Sequence, residues 1–316
     1  MTHLLRLNVW VKRMDSSINR SVRLVLVGGF SALFLIALVL QGDILPISLA
    51  IILTLPLAWG LYQLKDAMRL PITLDFRDSV GFVLGALLSY GLHSFLDWPV
   101  VMASGLVGLL GFFLFKPYAV PIFAGSFLGM SDGLLLGFDF LWLALIVGAL
   151  VYAIFKPTLV GFGGRLGFIA WIASMSVFLL RYPLFEPAVR IGFDPLIFYL
   201  GTVFFGVITF WLQRQKGFDA VSASALIGVL LGLLALPQFA TWSVYAIPWY
   251  GATFVGMSSH ERFPKVWMWV IPTLLYGVLF YLIHPYYPFT GGKLGALSFI
   301  SALASWCALQ KIVKKP

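Results

Sequence analysis

Tyr118-Ala-Val-Pro121-Ile-Phe123-Ala-Gly125-Ser126-Phe127-Leu-Gly129-Met130-Ser131 has a second copy 127 residues on, Tyr245-Ala-Ile-Pro248-Trp-Tyr250-Gly251-Ala-Thr253-Phe254-Val-Gly256-Met257-Ser258. Seven of the fourteen positions are identical, and most of the others are close exchanges. Two further matches flank the phrase. Ala103-Ser-Gly-Leu-Val-Gly108 pairs with Ala223-Ser-Ala-Leu-Ile-Gly228, and Gly163-Gly-Arg165-Leu-Gly167 pairs with Gly291-Gly-Lys293-Leu-Gly295. The offsets are 120, 127 and 128, in the same order. Chance similarity between apolar segments explains one such match. Three in register point to an internal duplication.

The duplicated units are membrane sequence. Hydrophobic residues are 61% of the chain and charged residues 10%, against about 45–50% and about 25% in a soluble domain. Apolar runs of roughly 17–20 residues recur throughout, long enough to cross a bilayer as helices. They lack the alternation of a membrane β-barrel. No stretch is left over for a soluble domain. The net charge of +9 fits the bias of Lys and Arg toward cytoplasmic loops and does not indicate nucleic acid. The single cysteine, Cys307, excludes an intramolecular disulfide. The basic stretch before Leu24 has no small-residue cleavage site, so no cleaved signal peptide is expected.

The expected fold is an all-α polytopic integral membrane protein. A basic N-terminus over 1–23 reads as a short interfacial helix. A transmembrane hairpin and cytoplasmic loop occupy 24–78. Repeat one spans 79–181, a linker 182–195, and repeat two with a basic tail 196–316. Each repeat carries four clear spans, 79–96, 99–115, 139–155 and 166–180, then 196–212, 221–236, 266–283 and 296–311. The Pro- and Gly-broken phrase lies between the second and third.

If the phrase crosses, each repeat has five helices and the two are inverted. If it dips back, each has four and they are parallel. With the N-terminus inside, the crossing arrangement puts 18 of the 21 Lys and Arg on the cytoplasmic side, and the re-entrant one also satisfies the charge bias. The matched loops discriminate better. His93–Trp98 has no Lys or Arg where Gln213–Ala220 has two, and Ser131-Asp132 is acidic where Ser258–Lys265 has two cations. Inverted repeats require such a transfer, because equivalent loops then lie on opposite sides. The reading is therefore twelve crossings, a two-helix hairpin plus two five-helix inverted repeats, in the inner or plasma membrane with both termini cytoplasmic.

Irregular backbone at membrane depth survives only where protein buries it or where it lines a cavity, and broken segments at matching places in two halves point to a transporter's central site. The expected substrate contacts are Tyr118, Pro121, Gly125, Ser126, Gly129 and Ser131 with Tyr245, Pro248, Gly251, Thr253, Gly256 and Ser258. Asp132 and Asp139 are the candidate coupling carboxylates, since an intramembrane carboxylate suits proton or sodium coupling. The Gly-Gly-cation motif before a helix is a candidate gate or anion contact, through Gly164 and Arg165 in one copy and Gly292 and Lys293 in the other. If the repeats are inverted, these motifs sit on opposite sides and suit two gates or two vestibules better than one shared site.

The four histidines have no metal-ligand spacing, and no phosphate-binding loop, nucleophile elbow or hydrolytic carboxylate pair is present. No cofactor and no enzymatic activity are expected. The first function expected is secondary transport of a small solute or ion. The second is a channel for a small neutral or weakly polar solute, built on the same architecture. The partners expected are the lipid bilayer and the solute, with the N-terminal hairpin either a homo-oligomer contact or a lipid-facing brace.

Overall fold

A computed structural model describes residues 16–183 and 185–313. Among them there are twelve α-helices and no strand. They are α1 (Ser16–Val39), α2 (Ile44–Gln63), α3 (Phe76–Leu96), α4 (Val100–Leu114), α5 (Ala119–Leu128), α6 (Phe138–Phe155), α7 (Arg165–Arg181), α8 (Pro195–Leu212), α9 (Ala220–Leu234), α10 (Ala240–Gly256), α11 (Trp267–Ile283) and α12 (Lys293–Val313). Five of them, α1, α2, α3, α6 and α8, are long and apolar enough to cross a membrane. Exposed leucines, isoleucines and phenylalanines cover their outer faces, as expected where the solvent is lipid. The chain is a helical membrane protein.

Polar residues punctuate the helices. Asp75 and Asp194 cap α3 and α8 by accepting from Arg77 N and Ile197 N, and Asp219 opens α9 with a reciprocal capping box to Ser222. Each cap satisfies a first-turn N–H that has no partner within its helix. Helix α1 begins well before the apolar run at Leu24, with Arg23 inside it. That side chain is fully buried. Its Nε donates to Ile154 O at 2.7 Å, and its Nη1 donates to Met68 O at 2.8 Å and Leu70 O at 2.6 Å. Those carbonyls make burial of the cation tolerable and tie the hairpin to α6. The interfacial helix expected over 1–23 lies outside the described residues up to position 15.

Contacts between loops define two ends of the bundle. At one end Arg23 meets the 68–70 loop and the end of α6, and Lys156 pairs with Asp75 and Asp78. The bond to Asp78 raises the Lys156 pKa above the ordinary lysine value. Ser259 N also bonds to Gly161 O, and Arg262 stacks on Phe162. This is the basic end. At the opposite end Arg181 bonds to Leu135 O, Asp132 N to Phe289 O, and Asp194 N to the Tyr245 hydroxyl. Successive helices run alternately between the two ends.

The first phrase does not turn back. Helix α5 runs beside α3, and a Cβ on Gly125 or Gly129 would overlap Phe82 O or Ala86 O. Ten helical residues rise about 15 Å, half of a hydrocarbon core of about 30 Å. The non-helical stretch after Gly129 completes the passage to the opposite end, where the Tyr90 hydroxyl donates to Leu136 O. The phrases are less broken than the prolines suggest. Pro121 sits in the first turn of α5, where its missing N–H has no helical acceptor to lose. Helix α10 continues unbroken through Pro248, whose carbonyl accepts from the Tyr276 hydroxyl.

Packing is paired between the two sets of five helices. Helix α5 lies on α3 and α4 as α10 lies on α8 and α9; α6 packs on α7 as α11 packs on α12. Between the sets, α4 lies on α9 and α7 on α12. A Cβ on Gly105 would press on Val229 N and Ala225 O, and one on Gly108 would press on the Ala225 side chain. Small residues here let backbones approach closely, which is how helices associate in lipid.

Candidate functional site

The Gly-Gly motifs close two loops of the same unusual shape. Leu159, Gly161 and Gly164 have positive φ, and so do Tyr287, Phe289 and Gly292, each 128 residues later. Three of these six are bulky residues in a region costly for them. A matching cation holds each loop. The Arg165 Nη1 donates to Phe155 O, Lys156 O and Thr158 O at 3.4, 3.1 and 2.7 Å. The Lys293 Nζ donates to His284 O, Tyr286 O and Tyr287 O at 3.0, 2.9 and 3.3 Å.

Each loop is then fastened to the phrase of the other half. Gly291 N donates to Ser131 Oγ and Gly163 N to Ser258 Oγ, both at 2.9 Å. The serines pass their own protons to Leu128 O and Val255 O, both at 2.8 Å. The loop backbones also exchange bonds, Asp132 N to Phe289 O at 3.0 Å and Ser259 N to Gly161 O at 2.9 Å. Applying the offsets of 127 and 128 turns each bond into its partner. We expect Ser131→Ala and Ser258→Ala each to cost about 1–3 kcal/mol, because each strands a buried glycine N–H. The two losses should be similar in size in detergent unfolding curves. A large loss at one position with none at the other would deny the equivalence.

The two Gly-Gly motifs open helices that touch. A Cβ on Gly164 would overlap Gly295 O, one on Gly292 would overlap Gly167 O, and one on Gly167 would press on Gly295 Cα. The motifs are therefore not separated as their placement on opposite sides would suggest. The motifs belong to loops from opposite ends, yet their helix starts meet inside the bundle. Phe127 and Phe254, also equivalent, meet there with ring centroids 4.6 Å apart.

On the basic side of that aromatic pair is a cavity of about 160 Å³. Its walls include Val120 of α5, Ala220 and Val221 at the start of α9, Met257, loop residues 161–164 and the first residues of α7, Arg165 and Leu166, with Phe127 and Phe254 as the floor. Arg165 is enclosed by protein and keeps some accessible surface, being itself a wall of the cavity.

The sequence-expected contacts are distributed differently. The Ser126 hydroxyl meets Ser104 Oγ at 2.9 Å and donates to Phe123 O, and Thr253 Oγ1 meets Ser224 Oγ at 2.7 Å and donates to Tyr250 O. Both hydroxyls are spent on α4 and α9. Gly125, Gly129 and Gly256 face neighbouring backbone, and Gly251 faces the Tyr276 hydroxyl. Tyr118 lines an apolar groove of α3 and α4, whereas Tyr245 is buried and its hydroxyl accepts from Asp194 N. Asp132 receives Leu134 N in a turn, and Asp139 is exposed in the first turn of α6. Both lie toward the opposite end, away from the cavity walls. Ser104 and Ser224, which complete the hydroxyl pairs, lie in the first repeated motif and are visible in the sequence only as a repeat marker.

Among the described residues no group of His, Cys, Asp and Glu could hold a metal ion. No protein-family model, no curated protein and no solved structure matches the chain.

Proposed function

We propose that the chain is a secondary transporter whose two five-helix repeats, inverted in the membrane, move a small solute or ion past a central site at their interface. The observation that carries this reading is the reciprocal fastening of each Gly-Gly loop to the other half's phrase, beside a cavity that ends on Phe127 and Phe254. Contacts that exchange under the repeat offset, between helices running in opposite directions, are what a two-fold axis in the membrane plane produces. A cavity on one side of an aromatic floor fits a site reached from one side at a time. A fixed pore, the competing reading, needs a continuous path. The basic end is assigned to the cytoplasm by its Lys and Arg, in the inner or plasma membrane. Asp132, bonded through its backbone to Phe289 of the other half, is the better placed coupling carboxylate.

The test uses Met130 and Met257, equivalent residues that are both partly exposed. In a Cys307→Ser background, Met257→Cys should react with an impermeant maleimide only from the cytoplasmic face, and Met130→Cys only from the other. Prior attachment of a bulky maleimide at position 257 should hold the basic-end cavity open and slow reaction at position 130 severalfold. Reaction of both from one face removes the inverted arrangement. Reaction from opposite faces with no mutual effect turns the assignment to a pore.

A further inference from the structure

We infer that the cavity at the basic end binds a small anion carrying two acceptor oxygens, a carboxylate or an inorganic oxyanion. As a statement about cargo this rests on the transport reading; as a statement about binding it does not.

The inference starts from a difference between equivalent residues. Lys293 and Arg165 do the same structural work, capping the carbonyls that precede their loops. An ammonium has three protons, and Lys293 directs its Nζ at three carbonyls. All of the carbonyl bonds of Arg165 run through Nη1. Among the described residues its Nε and Nη2 have no protein acceptor, and neither is a sealed, unsatisfied atom. Arg165 keeps some accessible surface and is a wall of the cavity. A lysine suffices for the cap, as position 293 shows, so the guanidinium carries donors beyond those the cap uses. Its planar fork suits two oxygens of one ligand.

The surroundings favour negative charge. No acidic residue lines the cavity. Asp219, next to the lining Ala220, directs its carboxylate at Ser222 N and Oγ. The walls are otherwise apolar side chains and glycine backbone. An enclosed cation without a carboxylate is costly, and a bound anion offsets that cost. Gly164 is the N-cap of α7, so the first-turn N–H groups of that helix add positive potential at the same wall. The volume of about 160 Å³ has room for several waters or one small solute. Arg214, Lys216, Arg262 and Lys265 lie in the basic-end loops, a field that draws anions in.

The experiment is thermal unfolding of the purified protein at constant ionic strength, titrated with formate, nitrate or inorganic phosphate, with chloride and neutral formamide as references. A ligand of the folded state raises the midpoint with the logarithm of its concentration. At least one oxyanion should do so, and formamide should not. Arg165→Lys keeps the cap in the form seen at Lys293 and should weaken the anion effect about tenfold or more. Ala220→Glu leaves Arg165 and its cap untouched, suits a helix first turn, and should abolish the effect by placing a carboxylate in the wall. An absent oxyanion shift in the wild type, or an equal shift in both variants, overturns the inference. Alternating reaction at positions 130 and 257 without anion binding leaves the transport reading standing alone. Anion binding with failed alternation leaves the site standing and removes the cargo assignment.

Discussion

Gly164→Ala and Gly292→Ala are each expected to destabilise the protein by about 2–5 kcal/mol, a large share of the roughly 5–15 kcal/mol that holds a folded domain together. Two independent costs add. Both glycines have φ of +79, which costs a residue with a Cβ about 1–2 kcal/mol. Both Cβ atoms would also overlap a glycine carbonyl of the facing helix, Gly295 O in one case and Gly167 O in the other. Overpacking of that kind costs about 1–3 kcal/mol, and a backbone carbonyl cannot swing aside as a side chain can. Gly42→Ala separates the two terms. Its φ is +78 and nothing lies within 4 Å of its Cβ, so it should lose only about 1–2 kcal/mol. Unfolding curves of the three variants in one detergent decide the matter. A Gly292→Ala protein no weaker than Gly42→Ala would mean that α7 and α12 do not approach as described.

Much of this architecture is readable from hydropathy because lipid imposes one rule on every crossing. The span expected at 139–155 is α6 at Phe138–Phe155, and that at 221–236 is α9 at Ala220–Leu234. The rule fails where backbone carbonyls receive a charge. In sequence Arg23 stands before the first apolar span, yet it is buried within α1, where three carbonyls receive it. Direction within a helix is less legible still. Ser126 and Thr253 invite a solute in sequence, but which face they occupy depends on where α4 and α9 lie. Their hydroxyls meet Ser104 and Ser224 instead. The loop shape was beyond reach for a different reason. Leu159, Tyr287 and Phe289 adopt positive φ, which no local preference favours, and only the surrounding contacts impose it. The Gly-Gly-cation motif reads in sequence as a candidate gate or anion contact, whereas the difference between Arg165 and Lys293 acquires meaning only when their acceptors are counted.

Phe254→Ala is expected to do two things that a merely structural phenylalanine would not do together. Phe254 is buried and packs on Phe127 and Tyr250 with centroids 4.6 Å away in both cases. Loss of such a ring costs about 3–5 kcal/mol through lost contacts and the void left behind. That void would lie in the floor of the basic-end cavity, where Phe254 and Phe127 close it. In lipid vesicles the variant should therefore pass small solutes down their gradients without saturation, while the wild type does not. Phe254→Leu restores most of the volume and should recover stability to within about 1.5 kcal/mol and remove the leak. Phe127→Ala, its equivalent, should leak as well. By contrast Phe198→Ala, which deletes a fully buried ring packed among Tyr199, Phe280 and Phe193, should lose comparable stability and stay tight. If Phe198→Ala leaks as much as Phe254→Ala, the leak reports a loosened bundle and the aromatic pair is no barrier. If only the two floor variants leak, the barrier between the two sides is a pair of rings that meet where the repeats meet, and movement of one half against the other is what must part them.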